Sequence, residues 1–207
     1  SFLYPVTFAQ GDIRSILGRT FLTSNVLGDK EFDFFSDKIL HALEEWIETH
    51  PHDPRLYIQL IEAYNERAKR DASFFVKAEE LGRRALSMAP KRQELYFQLS
   101  YTLVSQQKHE EAMKIARDAV ALAPSVGKSH YVLGVILSLS GKEQWREGEG
   151  EIDRGLALKL TKMLEDDRRN ILVISKRNVA QYIKERNVDG VVRNARRIVF
   201  IDSTTEK

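Results

Sequence analysis

The sequence predicts an all-α fold made of helical hairpins stacked side by side, and three observations carry that prediction. Apolar or small residues recur three to four apart, as in Tyr96, Leu99 and Leu103 and again in Ala112, Ala116 and Ala119, which is the spacing of one helix face. The pattern then repeats: Ala78, Ala85 and Pro90 stand 34 residues before Ala112, Ala119 and Pro124, with Gly82 in the place of Ala116. The breaks between helical runs hold proline, glycine or short polar stretches that cannot prolong a helix.

In chain order, residues 10–27 form the first predicted helix, with Ile13, Leu17 and Phe21 on one face and Asp12 as its N-cap. Gly28, Asp29 and Lys30 break it, and residues 32–49 supply its partner through Phe35, Ile39, Leu43, Trp46 and Ile47. Trp46 falls where later hairpins have Ala85 and Ala119, so packing there is expected to be looser or the ring to point outward. His50, Pro51, His52, Asp53 and Pro54 make the first turn between hairpins. Leu56, Tyr57, Leu60 and Tyr64 align with Leu95, Tyr96, Leu99 and Leu103 at an offset of 39, so five residues are inserted around residues 67–73.

Residues 91–124 are the clearest hairpin, with small alanines on the second helix that permit close approach. Residues 129–140 give the next first helix, ended by Gly141, and its partner runs from Gln144 through Ile152, Gly155 and Leu158. Gly148, Gly150 and Gly155 make this the weakest predicted helix, at about 1 kcal/mol for each interior glycine. The last hairpin pairs Leu172, Ile174, Val179, Tyr182 and Ile183 with Val191, Val192, Ala195, Ile198 and Val199 across a turn at residues 187–190.

A period near 34 with small residues at these offsets and a closing proline resembles the tetratricopeptide repeat (TPR). Tyr96, Leu99, Ser100 and Leu103, and then His130, Leu133, Gly134 and Leu137, match the family's first-helix pattern in part. The resemblance implies an α-solenoid of about five TPR-like hairpins forming a right-handed superhelix. Residues 1–207 would be a single domain, with approximate repeats at 10–51, 54–90, 91–124, 125–160 and 165–202.

Composition narrows the chemistry. The chain contains no cysteine, which removes disulfides, thiolate catalysis and cysteine-bound zinc. No apolar run approaches the ~18 residues that a spanning helix needs. His50, His52 and Asp53 have no further ligand nearby, Ser129 and His130 lack an orienting acid, and the glycines near residue 150 follow no strand and precede no Gly-Lys-Ser/Thr. Neither catalytic residues nor a metal or other cofactor is therefore expected, and no small-molecule substrate.

The net charge is only +2, yet residues 168–197 carry nine basic side chains against Glu185 and Asp189, which leaves about −5 on the remainder. A solvated helix face is the ordinary reading of such a cluster, and contact with an anionic surface through Arg193, Arg196 and Arg197 is the alternative. Nucleic acid is not the favoured partner. TPR stacks bind peptides or helices along their first helices, and the matching positions here are Ile58 and Glu62, Phe97 and Tyr101, and Tyr131 and Val135. The lysines and asparagines with which chaperone-binding members grip a terminal carboxylate are missing from these positions. What remains is an apolar and aromatic groove fit for a protein or peptide.

The phrases TFAQGDIR, DPRLYIQLIEAY, KRQELYFQL and PSVGKSHYVLG are similar to the soluble C-terminal TPR region of bacterial O-antigen ligase or polymerase-like membrane proteins. That resemblance implies a docking or scaffolding module excised from a membrane-associated parent, with the aromatic stretch at residues 1–8 as a tether. It places the domain outside the cytoplasm on a bacterial membrane, the alternative being a free-standing cytoplasmic adaptor.

Overall fold

The computed structural model describes residues 29–141, 143–158 and 165–203, and all regular structure among them is helical. The described helices are α1 (Asp29–Thr49), α2 (Pro54–Ala68), α3 (Phe74–Met88), α4 (Gln93–Ser105), α5 (His109–Leu122), α6 (Gly127–Ser140), α7 (Trp145–Ala157), α8 (Glu165–Lys184) and α9 (Val188–Ser203). The helix expected at residues 10–27 lies outside the described residues. The chain divides into two compact units between Leu122 and Ala123, with α1–α5 in the first and α6–α9 in the second.

In the first unit, α2 starts where Asp53 accepts a hydrogen bond from the Arg55 amide at 3.0 Å, and Pro54 occupies a first-turn position whose missing N–H costs nothing. Leu56, Tyr57, Leu60 and Ile61 pack against Leu40, Leu43 and Ile47 of α1 and Ala78 and Ala85 of α3. Ala78, Gly82 and Ala85 on α3, and Ala112, Ala116 and Ala119 on α5, are all buried, as their size and spacing require. A methyl group at Gly82 would sit 3.2 Å from the Leu99 side chain. Trp46 is half-buried against this core and meets His50 edge-on, with ring centroids 6.1 Å apart.

The five extra residues of the 54–88 hairpin are spread out rather than gathered in one loop. Compared with the next hairpin, α2 is two residues longer than α4, the turn at 69–73 is two longer than that at 106–108, and α3 is one longer than α5. The shorter turn closes on Gln107, at φ 66°, with the Lys108 amide donating to the Leu103 carbonyl at 2.9 Å and the Gln107 amide to that of Val104 at 3.0 Å. That is the Schellman arrangement, built on a residue other than glycine. Arg186, at φ 54°, ends α8 in the same way.

A second device recurs at each described junction. The Tyr57 hydroxyl donates to the Pro51 carbonyl at 3.0 Å, that of Tyr96 to the Pro90 carbonyl at 2.8 Å, and His130 Nε2 to the Pro124 carbonyl at 2.8 Å. In every case the donor stands six residues after the proline, so the first turn of a hairpin's first helix fastens the bend that precedes it.

In the second unit the glycines of α6 and α7 face one another. A Cβ on Gly134 would lie 2.6 Å from the Gly148 carbonyl oxygen, and one on Gly127 would lie 2.6 Å from that of Gly155. Both pairs are seven residues apart on their helices, so two backbones touch along two turns. This corrects the reading of Gly148 and Gly155 as weak points, because they are the contact itself. Gly150 alone has open space around its Cβ position. Tyr131, Ile152, Ile171 and Ile174 form the core.

The faces of α8 and α9 also differ from expectation. Ile171, Ile174, Asn178 and Tyr182 are buried on α8 and Ile183 is exposed; among the described side chains of α9, Gly190, Asn194 and Arg197 are buried, Val191 and Ile198 are half-buried, and Val192 and Ala195 face water, while Val199 lies outside them. A polar pair therefore stands in the interior beside the aliphatic residues expected there.

Candidate interaction surface

Ile58 and Glu62 lie one turn apart on α2, and Phe97 and Tyr101 one turn apart on α4; all four are half-buried. Asn65 fixes these two helices against each other. Its amide donates to the Gln98 side-chain oxygen at 3.3 Å, and its own oxygen accepts from the Thr102 hydroxyl at 2.8 Å. Gln98 and Thr102 immediately follow Phe97 and Tyr101, so the aromatic pair rides on a helix locked at those positions.

In the second unit, Val135 is half-buried against the core, but Tyr131 is only 2% exposed and packs with Ile152, Ile171 and Ile174. Tyr131 is a core residue and offers a partner no open face.

The arginines divide likewise. Arg193 is exposed on α9 and lines, with Leu156, Ala157, Asp189 and Val192, an open depression of about 670 Å³ in the second unit. The Arg196 side chain lies outside the described residues. Arg197 is 4% exposed and turns inward, donating to Asp153 Oδ1 through Nη2 at 2.6 Å and Nε at 2.9 Å, and to Asn194 Oδ1 at 2.9 Å. Its placement on an anionic-surface contact is thus corrected, because its charge is already matched in the interior.

Arg197 belongs to a buried network centred on Glu149, which is 1% exposed. Glu149 accepts from the Tyr182 hydroxyl at 2.6 Å and from the Asn194 amide, and Arg197 Nη2 lies 3.5 Å away. Burial, helped by the Glu149 carboxylate, pushes the Tyr182 hydroxyl up to about 12. The network joins α7, α8 and α9, and its groups satisfy one another, leaving no free nucleophile or base. A signal was present in the sequence: Glu149 lies on the same helical stripe as Trp145 and Ile152, where a carboxylate must find donors.

A further polar cluster ties α3 to the 106–108 turn in the first unit. Glu79 accepts from Lys108 at 2.6 Å, from Gln106 at 2.7 Å and from Arg83 at 2.8 Å. Burial raises its carboxyl, but the three donors outweigh burial and bring it down to about 2.

No protein-family model and no curated protein matches the chain. Solved structures do. MamA from Desulfovibrio magneticus RS-1 superposes with a TM-score of 0.59 at 13% identity, over 94% of this chain and 98% of that one. A further crystal structure of MamA gives 0.60 at 14% identity, over 88% and 97%. A thermophilic TPR protein of Thermus thermophilus gives 0.60 at 16% identity, over 91% and 89%. At such identities the likeness concerns the fold, which is that of a TPR-like α-solenoid protein.

Proposed function

We propose that the chain is a non-catalytic scaffold that binds a protein or peptide through the first helices of its hairpins. The observation that carries this reading is the partly exposed pair Phe97 and Tyr101 on α4, a helix that the Asn65–Thr102 hydrogen bond fastens to α2, which carries Ile58 and Glu62. Rigid aromatic side chains on a locked helix are the kind of anchor on which interfaces concentrate their energy. The TPR-like fold supports the same use.

Peptides selected for binding to the intact chain test it. Phe97→Ala combined with Tyr101→Ala should weaken them by about tenfold or more while leaving helicity unchanged. Peptides indifferent to that change would count against the surface.

The likeness to the TPR region of O-antigen ligase-like proteins supports a larger membrane-associated glycan-assembly protein as the setting of this scaffold. A free-standing cytoplasmic adaptor is the second reading, favoured by the fact that Phe97 and Tyr101 need no membrane portion to engage a helix. Apolar spans encoded upstream of Ser1 would select the first, and a short reading frame without them the second. None of the described helices is long and apolar enough to cross a membrane.

A further inference from the structure

Helix α8 buries one side and leaves the other without a covering element among the described residues. Ile171, Ile174, Asn178 and Tyr182 face inward. Val173, Lys176, Arg177, Ala180, Ile183 and Lys184 are exposed, and at helical spacing they fall within an arc of about 120°. Val173 is 63% exposed and Ile183 61%.

The same arc is cationic. It holds Lys176, Arg177 and Lys184 and no acidic residue. Lys176 and Lys184 pair with no acid among the described residues, and the Arg177 guanidinium is held by the Ser138 carbonyl at 3.0 Å, an acceptor that leaves its charge uncompensated. The next acid along the chain, Glu185, is engaged by Arg146 at 2.6 Å and Gln181 at 2.8 Å.

Two kinds of partner suit an apolar and cationic helix face: an acidic protein segment, or an anionic bilayer. Protein anchors cluster in pockets. Val173 and Ile183 are ten residues apart, about 15 Å along the axis, with Lys176 and Arg177 between them, and the depression of the second unit is lined by other residues. Dispersed aliphatics ringed by long basic side chains instead suit a helix lying flat in a headgroup layer, where lysine stems reach along apolar surface and their ammonium groups meet phosphates.

We propose that the outward face of α8 docks this protein on anionic phospholipid bilayers, with Val173 and Ile183 entering the headgroup layer and Lys176, Arg177 and Lys184 contacting lipid phosphates. The test is co-sedimentation of the full chain with vesicles of phosphatidylcholine alone and of an equal mixture of phosphatidylcholine and phosphatidylglycerol. Binding should require the anionic lipid, weaken with added salt, and fall by about tenfold or more in Lys176→Glu combined with Lys184→Glu. Val173→Ser combined with Ile183→Ser should also weaken it.

The charge-matched change Lys91→Glu with Lys114→Glu, in the first unit, should leave binding within about twofold after the general loss of charge is allowed for. Circular dichroism checks that each variant folds, and Lys176→Gln with Lys184→Gln replaces the reversal if helicity drops. Equal binding to neutral vesicles, or indifference to the Lys176 and Lys184 changes, would overturn the proposal. So would a chain that ignores anionic vesicles yet binds polyglutamate through Lys176 and Lys184, which would assign the face to an acidic protein.

Discussion

The Tyr182 hydroxyl donates to the Glu149 carboxylate at 2.6 Å, inside the second unit and out of reach of water. Three helices meet at this bond, since Asn194 and Arg197 of α9 approach the same carboxylate. Glu149→Ala should destabilise the second unit by roughly 3–5 kcal/mol, because it strands the Tyr182 and Asn194 donors and leaves Asp153 as the one carboxylate beside Arg197 in this network. Tyr182→Phe removes one hydrogen bond and should cost only about 1–2 kcal/mol. Trp145 stacks edge-on against Tyr182, with ring centroids 5.0 Å apart, and reports this unit in urea unfolding, while Trp46 reports the first.

Alkaline pH offers a second readout of that bond. An unfolded tyrosine ionises near ~10, whereas burial and the Glu149 carboxylate raise Tyr182 to about 12. The folded state therefore favours the neutral phenol. Its contribution to stability is fully present below the unfolded value and is lost as pH rises from there through about 12. Ultraviolet titration should show Tyr182 ionising late, and Tyr182→Phe should flatten the alkaline fall in stability of the second unit.

Glu79 makes the first unit sensitive in the opposite direction. Burial raises its carboxyl, but Lys108, Arg83 and Gln106 lower it to about 2 from an ordinary 4.5. A depressed carboxylate stabilises the fold above its unfolded value, and that contribution is lost as pH falls from about 4.5 to about 2. Because Lys108 and Arg83 are themselves half exposed, screening reduces the effect to about 1–2 kcal/mol. Glu79→Gln should remove that amount at neutral pH and flatten the acid limb of the Trp46-monitored stability curve.

Much of the first unit was legible because its signals are local: alanines at fixed offsets, prolines at the bends and aliphatics at helical spacing. The glycines of α7 were misjudged because intrinsic propensity assigns all three the same cost, whereas close approach distinguishes them. Gly134→Ala would bring its Cβ to 2.7 Å from Ile152 Cγ1 and 2.6 Å from the Gly148 oxygen, and should cost at least about 2 kcal/mol. Gly150→Ala meets nothing within 4 Å and should stabilise by up to about 1 kcal/mol. Similar costs for the two would contradict the backbone contact. The inward turn of Arg197 was hidden for a related reason: it reads as a surface residue until Glu149 and Asp153, more than forty positions earlier, are brought beneath it.

His130 occupies the place that Tyr57 and Tyr96 hold at the two earlier junctions, and it does more than they do. Its Nε2 donates to the Pro124 carbonyl, while Nδ1 lies 2.6 Å from Glu151 Oε2, which corrects the expectation that no acid orients His130; the other Glu151 oxygen accepts from Arg154 at 2.6 Å. With Nε2 engaged by the carbonyl, Nδ1 is the ring atom that faces the carboxylate. His130→Phe loses both bonds and should destabilise the second unit by about 2–3 kcal/mol. His130→Tyr places a hydroxyl where the other junctions have one and should recover about 1 kcal/mol of that, the share belonging to Pro124. Glu151→Gln in the wild-type and His130→Tyr backgrounds then isolates the remainder, because only the histidine couples to the carboxylate. If tyrosine recovers nothing over phenylalanine, the bond to the proline carbonyl contributes no stability, and the recurrence at residues 57, 96 and 130 reflects helix packing alone.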